Sequence, residues 1–331
     1  MKKYLITGGL GFIGGHLVHR LSQENCIIYV VDDRSNASAD ESSFDLEYRT
    51  ILVGLSDAYA WDADPKKPKL VVFDGDCAHH KILNRIGSGE FDAVFHMAAQ
   101  PRVEFSIQNP VETTTVNLMK SLEIAMACAQ SGTRIIFSST AAIYGNAEVP
   151  TCESAPCLAT SPYGVAKSST EQFFRLFHDL YGLDWISLRY FNVYGPGQKG
   201  DSPYCTAIAA WCHRVNEGLP LRSDGDGEQT RDMVFVKDVV DINYRAATLQ
   251  DVPYRVFNVG TGKAISNNEL IVLFHSMLLE KIAGITHAPE RIGDVRHACA
   301  NISKLEAVFH PFVPRDIEAG LKETFDWWGI C

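Results

Sequence analysis

No run of 18 apolar residues occurs in the 331 positions, so no membrane-spanning helix is expected. Positive charge is in deficit: 40 Asp and Glu outweigh 30 Lys and Arg, for a formal net charge of −10. That balance argues against nucleic acid as a general partner and leaves room for a local basic pocket that takes a small anion. The nine cysteines form no Cys-x-x-Cys and no framework spacing, and their odd number fits a reducing cytosol rather than a disulfide scaffold. The eleven histidines are scattered, and the pair His79-His80 lacks a partnered ligand spacing, so a structural role and no metal are expected. No internal repeat or low-complexity tract appears. The opening Met1-Lys2-Lys3-Tyr4-Leu5-Ile6 runs into glycines too soon to form the apolar core of a signal peptide. A cytoplasmic location is expected.

What is present starts with Tyr4-Leu5-Ile6-Thr7, a strand that enters the turn Gly8-Gly9-Leu10-Gly11-Phe12-Ile13-Gly14 and a helix over Phe12–Glu24. A second apolar run, Cys26 to Val31, ends on Asp32 and Asp33. This is the beginning of a βαβ unit built to hold a dinucleotide. Glycines allow the tight turn and close backbone approach to a pyrophosphate, the helix N-terminus faces that group, and an acid about 20 residues on accepts from ribose hydroxyls. An acid at Asp32 repels a 2′-phosphate, so NAD is expected rather than NADP.

The length suits one large domain or, better, one domain plus a smaller lobe. Continuous apolar runs recur at Tyr4–Thr7, Cys26–Val31, Leu70–Phe73, Ala93–Met97, Arg134–Ser139, Trp185–Tyr190 and Arg255–Val259, with helical stretches between them. Such runs predict a parallel sheet covered on both faces, with ligands at the carboxyl ends of its strands. Ser35 to Lys69 reads as a long surface excursion with one helix at most and no assigned role. From about Tyr190 the alternation breaks at Gly195-Pro196-Gly197, Gly200 and Ser223-Asp224-Gly225-Asp226-Gly227. The expected fold is therefore α/β, a doubly wound parallel sheet over 1–189, with 234–259 returning to it. A smaller mixed α/β lobe takes 190–233 and 260–331.

Chemistry concentrates in Ser161-Pro162-Tyr163-Gly164-Val165-Ala166-Lys167, which opens a helix running to Tyr181. Tyr163 and Lys167 are four apart and share one helical face. The strand Ile135-Ile136-Phe137, upstream, delivers Ser138-Ser139-Thr140 at its carboxyl end. A free tyrosine ionises near pH 10, so acting as a base near pH 7 takes about 4 kcal/mol of preferential stabilisation of the phenolate. One cation at ~4 Å supplies about 4 kcal/mol at an effective dielectric of about 20, and Lys167 and an oxidised nicotinamide would make two. The bland reading is a helix surface where Tyr and Lys are merely neighbours.

The chain resembles the extended short-chain dehydrogenase/reductases of the NAD-dependent epimerase/dehydratase family along nearly its whole length. The resemblance rests on Thr7-Gly8-Gly9-Leu10-Gly11-Phe12-Ile13-Gly14, Gly75-Asp76-Cys77, His96-Met97-Ala98-Ala99, Asn117, Arg189 to Pro196, Arg231-Asp232 and Arg291-Ile292-Gly293-Asp294. It implies a Rossmann-type sheet domain holding NAD through Gly8, Gly11, Phe12, Ile13, Gly14, Asp32, Asn36, Asp76, Cys77, Ala98, Ala99, Asn117, Tyr163 and Lys167. It further implies that Thr140 hydrogen-bonds the reacting sugar hydroxyl, that Tyr163 is the acid/base, and that Lys167 holds the nicotinamide ribose and tunes Tyr163. Asn192, Arg231, Arg291 and Asp294 would grip a nucleotide diphosphate and its ribose, with Arg102 and Ser139 also near the substrate. Planar arginine forks match phosphate oxygens, although each arginine taken singly reads equally well as a solvated charge.

Family members begin by oxidising a sugar C4 hydroxyl and diverge afterwards. The dehydratases and decarboxylases that the chain resembles place an acid within the two residues after the catalytic threonine, where this chain has Ala141 and Ala142. Alanine has no proton to exchange, which disfavours elimination and leaves return of the hydride to the opposite face. The resemblance thus implies a UDP-sugar 4-epimerase. Ala298, four residues after Asp294, lines the sugar C2 substituent in the family and leaves room for an acetamido group, which points to UDP-GlcNAc and UDP-GalNAc and leaves UDP-Glc and UDP-Gal open as further substrates. The alternative for Ala298 is an ordinary small core residue. A UDP-glucuronate 4-epimerase using Arg102, or an NAD-sensing module without catalysis, are the competing functions. Pairing of family members through two helices implies a homodimer through Val111–Ser131 and Tyr163–Tyr181.

Overall fold

The computed structural model describes residues 1–38, 50–54, 70–201, 205–290 and 295–331. Its main sheet has eight strands. Seven are β1 (Lys2–Thr7), β2 (Cys26–Asp32), β3 (Thr50–Gly54), β4 (Leu70–Asp74), β5 (Ala93–His96), β6 (Arg134–Thr140) and β7 (Trp185–Tyr190), and the eighth is Val256–Val259. Their order across the sheet is Val256–Val259, β7, β6, β5, β1, β2, β4, β3. From β6 to β3 the neighbours are parallel, with Leu5 opposite Tyr29 and Val94 opposite Ile135. All residues of β2, β5 and β7 are buried. A strand covered on both faces has no solvent side, which is why these segments read as unbroken apolar runs.

The excursion expected over Ser35–Lys69 contains an edge strand, β3, in register with β4 from Thr50–Leu70 to Gly54–Asp74; its remaining residues, apart from 35–38, lie outside the described ones. Six helices matter for the site: α1 (Phe12–Ser22), α2 (His80–Gly87), α3 (Val103–Gln108), α4 (Pro110–Thr114), α5 (Lys120–Ser131) and α6 (Pro162–Tyr181). The helix expected over Val111–Ser131 is interrupted by a π-helical turn at Thr115–Met119. The pair His79-His80 has a structural explanation. His79 is the N-cap of α2, its Nδ1 accepting from the Lys81 amide, and its ring lies 4.3 Å from that of His80.

The chain divides into two compact units. One comprises Met1–Ser139, Pro162–Leu188 and Val240–Val256; the other comprises Thr140–Ser161, Arg189–Val239 and Phe257–Cys331. Thr140–Ser161, counted with the first domain from the sequence, thus clusters with the second. Around the strand Thr230–Phe235 of the second unit lie Ala264–Ser266, antiparallel, and His297–Ala298 and Asn192–Tyr194, parallel. Trp211, Phe274 and Phe325 pack edge to face in its core.

Candidate active site

The glycine turn is shaped first by its own sterics. Gly8 has φ 71°, and a Cβ there would lie 2.7 Å from the Ala98 amide nitrogen; a Cβ on Gly14 would collide with the Gly8 carbonyl oxygen. Both positions need glycine for the chain's own packing. Gly11 differs, since its φ of −72° is ordinary and a methyl there would meet only the Gly8 carbonyl oxygen at 3.3 Å. It is the N-cap of α1, and no side chain caps the helix whose first residues are Phe12 and Ile13. Amides without a side-chain cap among the described residues, at the positive end of an eleven-residue helix, fit the pyrophosphate of NAD.

Asp32, at the end of β2, is buried, and its Oδ2 accepts from the Leu10 amide at 2.9 Å and its Oδ1 from the Arg34 amide at 2.8 Å. Burial raises its pKa while those amides oppose the shift. The carboxylate therefore holds the glycine turn. Arg34, a basic residue close to Asp32, donates to Asp74 at 2.7 Å, so an acid stands beside each cation here and a 2′-phosphate gains little. Asn36 donates to Ser35 Oγ at 3.3 Å. Asp76 accepts from the Ala78 amide and pairs with Lys120 at 3.1 Å, a partner the sequence did not reveal. Beside it the buried Cys77 thiol is pushed up to about 12, by burial first and then by the Asp76 charge.

His96, Ala98, Ala99 and Asn117 form a second group at the end of β5. The buried His96 ring spans Thr7 Oγ1 at 2.7 Å and Ser121 Oγ at 2.8 Å, and burial, then the Lys167 charge, lowers it to about 3, so it is neutral. Thr7 Oγ1 also accepts from the Ala98 amide at 3.1 Å. Asn117, inside the π-helical turn, grips the Gln100 backbone both ways: Oδ1 accepts from its amide at 2.7 Å and Nδ2 donates to its carbonyl at 2.9 Å. Its amide is thus spent on shaping the loop after Ala99. Arg102 is the N-cap residue of α3.

At the end of β6, Lys167 is 1% exposed, donates to the Ser138 carbonyl at 2.7 Å and lies 4.6 Å over the Phe137 ring. Burial lowers it to about 7, with the Glu171 charge opposing. Burial therefore works against the full cation that the sequence argument counted. Tyr163 lies one turn earlier on α6 and is 9% exposed. Next along β6, Ser139 is buried and its hydroxyl has no hydrogen-bond partner among the described residues. Thr140 Oγ1 accepts from the Ala142 amide at 3.1 Å, which fixes its rotamer and leaves its proton to donate.

The second unit carries the remaining expected residues. Arg231 lies opposite Ala298 and Asn192 opposite Met233 in their strand pairs. One Arg231 nitrogen, Nη1, donates to the carbonyls of Thr230 at 2.9 Å and Arg296 at 3.3 Å. Asp232 faces inward: Oδ1 accepts from the Thr261 amide and hydroxyl, and Oδ2 from the amides of Gly262 and Ala300, at 2.7–3.1 Å. Arg291 and Asp294 lie outside the described residues.

A glycine turn that fits a pyrophosphate, an acid behind it and a Tyr–Lys helix docked on the next strand end form the pattern that the comparisons match. The NAD dependent epimerase/dehydratase family matches residues 4–260. The chain belongs to that family. The UDP-N-acetylglucosamine 4-epimerase of Methanobrevibacter ruminantium, solved in complex with UDP-N-acetylmuramic acid, superposes with a TM-score of 0.86 at 32% identity, over 99% of this chain and 98% of that one. The UDP-glucose 4-epimerase of Mycolicibacterium smegmatis is 32% identical over 89% of this chain and 88% of its own length. A UDP-N-acetyl-alpha-D-glucosaminuronate decarboxylase of Bacillus cytotoxicus is 30% identical over 99% and 98% respectively. The family is NAD-dependent and its members are enzymes; similarity at this level leaves the reaction to be argued from the residues.

Proposed function

We propose that the protein is a UDP-sugar 4-epimerase that interconverts UDP-GlcNAc and UDP-GalNAc. The observation that carries this reading is the sequence of groups at the end of β6: Ser139 and Thr140 hydroxyls, then Ala141 and Ala142, with Lys167 docked on Ser138. Thr140 donates to the sugar O4, and Tyr163 takes the C4 hydroxyl proton and later returns one. Lys167 keeps two further N–H donors beyond its Ser138 bond, which suit ribose hydroxyls. Bound NAD, held by the glycine turn, Asp32 and Lys167, supplies the hydride acceptor and donor. Without a carboxylate after Thr140 there is no group to drive elimination, so a 4-keto sugar that turns over in the pocket is reduced to the epimer. Ala298 beside Arg231 supports room for an acetamido group, and Arg231 with Asn192 supports diphosphate binding.

The test is a panel of UDP-Glc, UDP-Gal, UDP-GlcNAc, UDP-GalNAc and UDP-GlcA, followed by the C4 proton signal in NMR without added NAD. Turnover of both acetylated sugars is expected; turnover of UDP-GlcA alone would replace this reading by the glucuronate one. We also propose a homodimer through the helical faces of residues 110–131 and α6, where Val111, Met119, Leu176 and Leu180 are 47–79% exposed. Light scattering at twice the 36.7 kDa chain mass is the expected result. None of the nine cysteines forms a disulfide among the described residues, which supports the cytoplasmic location we propose.

A further inference from the structure

Lys167 carries a cost that the residues assigned so far do not offset. Among the described residues its ammonium donates to one neutral carbonyl, and an aromatic face covers it. From β5 it faces His96, which is neutral. From β6 come the Phe137 ring and the Ser138 carbonyl, neither of which titrates. On the helices packed against α6, Glu104, Glu112 and Glu123 are exposed, and Lys120 turns to Asp76. On α6 itself, Tyr163, Lys167 and Glu171 follow at four-residue spacing, so they line one face.

Glu171 is 6% exposed, and its Oε1 accepts from Ser187 Oγ of β7 at 2.7 Å. A buried carboxylate one turn from a buried lysine is unusual enough to need a reason, because each alone is expensive to bury. We propose that Glu171 is a positioning residue that favours the protonated form of Lys167 at neutral pH, with Ser187 fixing its carboxylate. The direction agrees with the electrostatics, since the Glu171 charge raises Lys167 against the burial that lowers it. What protonated Lys167 does in turnover rests on the epimerase reading; the pairing itself does not.

The experiment is a 13C NMR titration of the Lys167 side chain in wild type, Glu171→Gln and Ser187→Ala, beside the pH dependence of kcat and KM on the substrate found by the panel. Glu171→Gln keeps an oxygen for Ser187 and loses the charge. It is expected to lower the Lys167 midpoint by about one pH unit or more. The basic limb of kcat then moves down in pH by the same amount while KM for the UDP-sugar stays put. Ser187→Ala, which leaves the charge in place, is expected to move the midpoint by less. Superimposable Lys167 titrations in wild type and Glu171→Gln overturn the proposal. If Glu171→Gln does not fold, the carboxyl signal of Glu171 in wild type decides: ionised at pH 7 supports the pairing, protonated at pH 7 refutes it. A shifted Lys167 midpoint without turnover of any UDP-sugar would sink the epimerase reading and leave this pairing intact.

Discussion

Replacing Lys167 by Met should make the nucleotide-free protein more stable near neutrality while abolishing turnover. Burial holds the Lys167 ammonium at about 7, against an ordinary 10.5. Between those values the unfolded chain binds a proton that the folded chain has released, so wild-type stability rises with pH across that window. Below about pH 7 both states are protonated, and the folded state bears the full cost of a buried ammonium. The gap corresponds to about 5 kcal/mol at most, and relaxation around the charge reduces it to about 2–5 kcal/mol. Methionine fills a similar volume without charge; the lost attraction to Glu171 is already contained in that gap, and what is forfeited besides is the bond to the Ser138 carbonyl, about 1 kcal/mol. The expectation is a variant more stable by about 1–4 kcal/mol at pH 6.5, with the advantage vanishing towards pH 10. Urea unfolding of both proteins at four or five pH values, followed by tryptophan fluorescence, reads this directly. A pH-independent difference, or a Met variant weaker at pH 6.5, would refute the buried-ammonium argument. The trade of stability for function would then need another cause.

Gly14→Ala should cost about 1–3 kcal/mol or more, because its methyl collides with the Gly8 carbonyl oxygen, and thermal melting checks this. Gly11→Ala, by contrast, should melt near wild type yet weaken NAD binding about tenfold, as measured by calorimetry; equal NAD affinity would remove Gly11 from the phosphate cradle. Tyr163→Phe is expected to lower kcat about 10³-fold with little change in UDP-sugar affinity. Unchanged turnover there would revive a non-catalytic, NAD-sensing role. Asp232→Asn should destabilise the protein by about 2–4 kcal/mol in chemical unfolding, since an amide cannot accept from all three backbone amides that the carboxylate serves.

Much of the sheet was legible because continuous apolar runs and glycine turns report two-sided burial and tight backbone geometry directly. β3 was not, because Thr50–Gly54 sits inside a long polar excursion and an edge strand of five residues gives a weak pattern. The break in Val111–Ser131 was hidden for another reason. A π-helical turn adds one residue to a helix without needing a breaker, so a continuous helical pattern passes over it. In the site, the Tyr163–Lys167 spacing pointed to chemistry only together with the upstream hydroxyls and the glycine turn. Glu171, at the same spacing again, was passed over because a carboxylate on a helix is usually solvated. Lys120 and His96 found partners distant in sequence, Asp76 and Thr7, which no local pattern announces.

The polar motif residues turn out to serve the backbone before any ligand. Asp32 satisfies the amides of Leu10 and Arg34, Thr7 that of Ala98, Asn117 both backbone groups of Gln100, and Asp232 those of Thr261, Gly262 and Ala300. The cause is geometric. At the carboxyl ends of parallel strands the ladder stops, and buried backbone amides there need acceptors that only side chains can bring. A shared scaffold of this kind fixes where loops lie without fixing what they do to a substrate. Chemistry is then left to groups with hydrogen-bonding capacity to spare: the Lys167 ammonium beyond its Ser138 bond, the Ser139 hydroxyl, which has no partner among the described residues, and the Thr140 proton. An acid added beside Thr140 would change the reaction without disturbing any of those clamps, because Ala141 and Ala142 leave their side chains out of the network that holds the loop. Relatives of similar identity carry the names of an epimerase and of a decarboxylase, so in the proposed reading the two alanines weigh more than the whole glycine motif.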